Sequence, residues 1–224
     1  MFPVTRPAVG LGSHTDSRFV KEFALDKRVE RGQATREQLV EVATRLFAER
    51  GYDGTSIEAV LEHAGVSRGS LYHHFANKEA LFEAAFMAVE ARIGAETAQA
   101  ALAAGDDPIA GLRAGSLEWM RLAGDPVVRR VVLIDAPAVL GWERWREIEE
   151  ATALGMLKVA MQIAAAEGRI PAELADAFAH MLLATVNEFA LLIARSDDQA
   201  AAQGIARAAV DELFTRMFGE PPNA

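Results

Sequence analysis

The feature that most limits what this chain can fold into is a corner of four residues, Ala64-Gly65-Val66-Ser67, between two short amphipathic segments. Gly65 admits the left-handed backbone that a sharp reversal requires. Val66 fills the angle between the segments, and the Ser67 hydroxyl accepts a free backbone N–H at the start of the second. The first segment carries Ile57, Val60 and Leu61 inward; the second, Arg68 to Phe75, carries Leu71 and Phe75 four residues apart. Segments of about two turns are not stable helices by themselves, so a third helix must cover them. Leu39, Val42, Ala43, Leu46 and Phe47 supply its face. The corner reads as a helix-turn-helix.

Cap residues set the surrounding boundaries. Thr35-Arg36-Glu37-Gln38 fits a capping box that opens the covering helix, and Gly51 ends it. A second box, Thr55-Ser56-Ile57-Glu58, opens the first helix of the corner. Asn77 caps a long helix to about Ala104 through Leu81, Phe82, Ala85, Phe86, Val89 and Ile93. Residues 1–34, punctuated by Pro3, Pro7, Gly10 and Gly12, are expected as a flexible tail.

A helix-turn-helix offers its second helix to the DNA major groove, N-terminal end first. The outward residues here are Arg68, Gly69, Ser70, Tyr72, His73 and His74. Gly69 and Ser70 let the backbone approach phosphates, while Tyr72 can pack on a sugar or a thymine methyl. Lys78 stands where a helix dipole and an ammonium together hold a phosphate. Arg36, Thr55 and Ser67 complete the candidate DNA contacts. The net charge of −9 argues against a chain coated in basic groups, but residues 1–80 hold 11 basic and 11 acidic side chains, so the acidic excess lies beyond them. The basic stretch from Lys27 to Arg36 has two readings, an arm along the minor groove or a solvated tail.

From Thr35 to Phe86 the chain resembles the DNA-binding domain of the TetR family of transcriptional regulators. The matching residues are Leu46-Phe47, Gly51-Tyr52, Thr55-Ser56, the run Ala64 to Phe75, and Lys78-Glu79-Ala80-Leu81. Val60-Leu61 stands where the family usually has Ile-Ala, an apolar exchange. The resemblance implies an all-α fold, with a three-helix DNA-binding domain over 35–82 and a helical ligand-binding and dimerisation domain over 83–224. It also implies a regulator that acts as a homodimer on a near-palindromic double-stranded DNA operator, commonly a repressor, and that a small-molecule effector releases.

The C-terminal sequence asks for burial. Helices are expected over 108–122, 127–134, 142–167, 171–195 and 198–218, with a break at Asp135-Ala136-Pro137. In the fourth, Phe178, Leu182, Thr185, Phe189 and Ile193 fall on one stripe with Leu174, Met181 and Leu192, while Leu183 and Leu191 lie opposite. A helix apolar on nearly all sides is covered on nearly all sides, and a second subunit is the expected cover. Leu213, Phe214 and Met217 extend the seam to the last helix, giving a four-helix dimer interface. Trp119, Met120, Trp142, Trp145, Met156 and Met161 are candidate pocket lining, against ordinary core packing. His180, Asn187 and Glu188 are polar groups on a helix expected to be buried; they bond either a ligand or the partner subunit.

Other functions are poorly served. With no cysteine, the chain has no disulfide scaffold, thiolate metal site or cysteine nucleophile. Gly65-Val66-Ser67-Arg68-Gly69 matches the nucleophile elbow G-x-S-x-G, but that motif needs a strand before its serine and here an amphipathic helix precedes it. His73 and His74 are adjacent and diverge on a helix, so no metal site is expected, nor a cofactor. No carboxylate pair supports the alternative of a helical enzyme; a helical interaction module is the remaining alternative. The longest uncharged run, 177–187, is too short to span a membrane, and no secretory leader pattern opens the chain, so a cytoplasmic protein without a membrane partner is expected.

Overall fold

The structure, a computed structural model, describes residues 17–218. Residues 1–16 of the expected tail, with Pro3, Pro7, Gly10 and Gly12, lie outside the described residues, as do the side chains of Lys27 and Arg28. The chain groups into two compact units, divided between Gln38 and Leu39. Helix α1 is Ser17–Gly54. Residues 17–34 are therefore helical rather than tail-like, and Thr35 opens no helix. Its hydroxyl donates to the Arg31 carbonyl at 2.9 Å, the local bond a threonine makes inside a helix.

Within the second unit α1 is broken at Gly51, whose φ of 73° and ψ of 172° leave the helical region. Thr55 then folds back. Its hydroxyl donates to the carbonyls of Leu46 at 3.1 Å and Gly51 at 2.8 Å, groups that the end of a helix leaves without partners. Thr55 thus closes α1, and the cap of α2 (Ile57–Ala64) is Ser56, which accepts the Ala59 N–H at 3.1 Å. The second capping box therefore does not form, and a simple serine cap one residue further on takes its place.

The corner itself forms as its residues dictate. Gly65 is left-handed (φ 65°, ψ 27°) and its N–H reaches the Leu61 carbonyl at 2.9 Å. Ser67 caps α3 (Arg68–His74) through the Ser70 N–H at 3.2 Å, and Asn77 caps α4 (Lys78–Ala103) through the Ala80 N–H at 2.8 Å. Leu39, Leu46, Phe47, Leu71, Leu81, Phe82 and Phe86 are sealed from solvent. Phe47 and Phe82 meet edge to face with centroids 5.1 Å apart, a geometry that adds about 1 kcal/mol to their burial.

Beyond α4 come α5 (Pro108–Leu122), a π-helical stretch Val128–Asp135 that passes without a break into α6 (Ala136–Val139), α7 (Trp142–Glu149), a second π-helical stretch Glu150–Leu154, α8 (Gly155–Ala166), a 3-10 turn Ala172–Leu174, α9 (Ala175–Arg195) and α10 (Gln199–Phe218). Pro137 lies in the first turn of α6 and gives no N–H to the turn before it, yet the helical backbone runs on through it. Helix α5 lies close on α4. A Cβ at Gly111 or Gly115 would stand 3.4 Å from the α4 carbonyls of Ala101 and Thr97. Asp125 accepts the N–H groups of Val127 and Val128 and pairs with Arg92 of α4 at 3.2 Å. Burial raises its pKa, but the Val128 bond, Arg92 and the Val127 bond together hold it below the usual carboxylate value.

Helix α9 packs on α5, α8 and α10. The segment Ala172–Arg195 is, by length and composition alone, apolar enough to cross a membrane, with mean hydropathy 1.6. Here Ala179, Leu182, Leu183, Val186, Ala190, Ile193 and Ala194 on that helix are core residues, so core packing accounts for the apolarity of one side of it.

Candidate nucleic-acid interface and ligand cavity

The sequence of α3 separates its two faces cleanly. Leu71 and Phe75 point into the core at 0% and 4% exposure. Arg68, Gly69, Tyr72 and His73 are exposed, with Ser70 and His74 half-buried. Arg68 is engaged by Glu58 of α2 across the corner. The Glu58 carboxyl lies below its ordinary pKa because of its own backbone N–H and then the Arg68 guanidinium.

Lys78 is half-buried at the start of α4, and its ammonium sits 4.0 Å above the Tyr52 ring, an attraction of about 0.5–1 kcal/mol. Tyr52 in turn meets Phe82 edge to face at 5.2 Å. Burial, then Glu79 and Asp53, raise the pKa of its phenol. One candidate contact falls away. Thr55 is 1% exposed and its hydroxyl already donates to two carbonyls, so it has no path to a phosphate. Ser67 remains at the surface, and Arg36 is exposed on the first unit.

A link that no motif announced joins this region to the helices beyond it. Asp135, buried at the end of the first π-helical stretch, accepts the Tyr52 backbone N–H at 2.8 Å and pairs with Arg130 at 3.1 Å. The Arg130 guanidinium occupies the space beside Gly51 where a Cβ would stand. The residues lie 83 apart in sequence, so local pattern carries no trace of the bond.

A cavity of about 590 Å³ is walled by α4, α5, α8 and α9. Trp119, Met156 and Asn187 line it, and the Trp119 indole donates to the Asn187 side-chain oxygen at 3.2 Å. The other five candidate lining residues do not. Met120, Trp145 and Met161 are core residues at 2%, 2% and 0% exposure, while Trp142 and His180 face solvent. The rest of the wall comes from residues that carry no ligand-binding signal in the sequence, among them Ile93, Thr97, Ser116, Leu157 and Ala160.

The seam residues divide in the same way. Leu182, Ile193 and Phe214 are buried within the subunit, by α9 and α10 packing on their own neighbours, and leave no surface for a partner. Phe178, Thr185, Phe189, Leu213 and Met217 are partly exposed. Leu174, Met181, Leu192 and Ile205, with exposures of 39–70%, complete an apolar outer face on α9 and α10.

Fold and site together define a class: an all-α regulator in which a long helix joins a helix-turn-helix to a helical domain with an apolar cavity. Residues 39–85 match the model of the bacterial regulatory proteins of the tetR family, and residues 109–217 match the tetracyclin repressor-like C-terminal domain. A crystal structure of a TetR-family transcriptional regulator from Pectobacterium atrosepticum is similar at TM-score 0.76 and 27% identity, over 86% of this chain and 98% of that one. The chain belongs to the TetR family of transcriptional regulators. The transcriptional repressor AcnR of Corynebacterium efficiens is 46% identical over 48 residues, 21% of this chain. The matches span only 32% and 26% of the length of the first curated relatives. FadR of Bacillus subtilis, solved in complex with stearoyl-CoA, shares the fold at TM-score 0.66 and 19% identity, over 83% of this chain and 99% of that one.

Proposed function

We propose that this protein is a homodimeric repressor that binds a near-palindromic operator through α3 of each subunit and loses affinity when a small molecule occupies the cavity. The observation that carries the reading is the division of α3: Leu71 and Phe75 are fixed in the core, so Arg68, Gly69, Tyr72 and His73 are held outward on a rigid support. Repression is drawn from the AcnR likeness, and a ligand in the cavity from the fold shared with FadR, which is described with stearoyl-CoA. The boundary near residue 82 serves as the division of labour, DNA before it and ligand beyond it.

Two routes couple the sites. Helix α4 lines the cavity with Ile93 and Thr97 and begins at Lys78 beside the DNA-facing corner. The Asp135–Tyr52 bond ties the end of α1 to the π-helical stretch. A ligand that prefers a spacing of the two reading helices other than the one DNA requires must weaken DNA binding by that same preference.

Binding to DNA from the region flanking the protein's own gene, followed by fluorescence anisotropy over 50–200 mM salt, tests the reading. Wild-type protein should bind with a steep salt dependence, because released counterions supply much of the affinity. Tyr72→Ala should bind at least about tenfold more weakly with an unchanged Tm, since its side chain lies on the exposed face of α3. Equal affinity of the variant and wild type would remove α3 from the interface.

A further inference from the structure

We propose that the molecule this cavity takes is a lipophilic amine, an apolar body with a cationic or N–H-donating head; the inference rests on reading the cavity as the effector site. It follows from the charged groups that the wall carries and those it lacks. Among the described residues that line it there is no lysine, arginine or histidine, whereas Glu90, Asp106 and Asp107 bring carboxylates.

The hydroxyl groups add to the same polarity. Thr97 donates to the Ile93 carbonyl at 2.9 Å, Ser116 to Leu112 at 2.7 Å and Thr152 to Ile148 at 3.0 Å. Each hydroxyl has one proton, already engaged by a backbone carbonyl, so Thr97 and Ser116 face a ligand as acceptors. The indole N–H of Trp119 is engaged by Asn187. Asn187, whose oxygen takes that proton, is the one remaining lining side chain with N–H groups.

The start of α5 would ordinarily attract an anion, but that attraction is already met. Asp107 accepts the Ile109 N–H at 3.1 Å and also pairs with Arg169, and Pro108 has no N–H to offer. A carboxylate or phosphate head would thus meet lone pairs and negative charge in an apolar surround, the costliest setting for an anion. An ammonium meets acceptors, carboxylates and the Trp119 ring, to which a cation is also drawn.

The test is a series with one tail and three heads: dodecylamine, 1-dodecanol and dodecanoate, titrated into the full-length protein at pH 7 below their aggregation concentrations, by calorimetry. The expected order of affinity is amine, alcohol, carboxylate, with about tenfold or more between the first and the last. Asp106→Asn, at the exposed rim, should weaken the amine severalfold and leave the alcohol unchanged. Ala160→Trp, which fills the cavity, should abolish binding of all three. Dodecanoate binding as tightly as dodecylamine, with both blocked by Ala160→Trp, would overturn the amine assignment and keep the cavity as a ligand site. Binding of all three that is indifferent to Ala160→Trp, or no binding at all, would overturn the cavity reading itself.

Discussion

The double variant Met181→Asp, Leu192→Asp should elute as a monomer and lose roughly two orders of magnitude or more in operator affinity. Both side chains lie on the outer face of α9, at 46% and 53% exposure, and neither supports the subunit's own core. A carboxylate placed there is harmless in a lone subunit but would be buried without a partner in a four-helix seam, a cost of several kcal/mol per charge. The loss on DNA follows from linkage. Two reading helices on one rigid body make the second half-site contact intramolecular, a gain of about 10²–10⁴ over a single contact. Size-exclusion chromatography with light scattering reads the first outcome, and anisotropy the second. An intact dimer would move the interface off α9.

Asp135→Ala should destabilise the protein and also disconnect ligand from DNA. Removing the carboxylate leaves the Tyr52 N–H without its acceptor and Arg130 without its partner. A buried group stripped of its partner costs about 1–3 kcal/mol, which for a chain of this size is a fall in Tm of roughly 2–12 °C. Asp135→Asn keeps an oxygen for the Tyr52 N–H and should lose less. If the bond carries coupling, a cavity ligand should weaken operator binding less in Asp135→Ala than in wild type, with its affinity for the free protein little changed. A variant that melts with wild type and responds fully to ligand would show that the Asp135 contact carries neither stability nor signal.

What could be read in the sequence was local. Gly65, Ser67 and Asn77 each act on backbone groups within four residues, so their chemistry declares itself in order along the chain. The two misplaced caps show how that logic is overridden. Thr55 and Ser56 are adjacent hydroxyl residues, and which of them caps α2 was decided by the carbonyls that the break at Gly51 left open. Thr35 had the right neighbours for a helix start but lies within a helix that already began at Ser17.

The distal domain was legible as helices and little more. Met156 and Met161 are about 140° apart around a helix; one lines the cavity and the other is wholly buried. Both are apolar, so periodicity cannot say which side faces a cavity and which faces the core. The same holds on α9, where Leu182 and Met181 are neighbours yet one is core and the other exposed. Those assignments depend on helices that are distant in sequence, as does the Asp135–Tyr52 bond.

Hydroxyl-radical footprinting of the dimer on its operator DNA asks most directly whether α3 enters the groove. The expected result is two protected patches whose centres lie one helical turn apart, about 34–36 Å, or a multiple of it, both erased by the exposed-face substitutions Tyr72→Ala and His73→Ala in a protein that remains a folded dimer. Protection that survives those substitutions, or a folded dimer that protects nothing at modest salt, would contradict it.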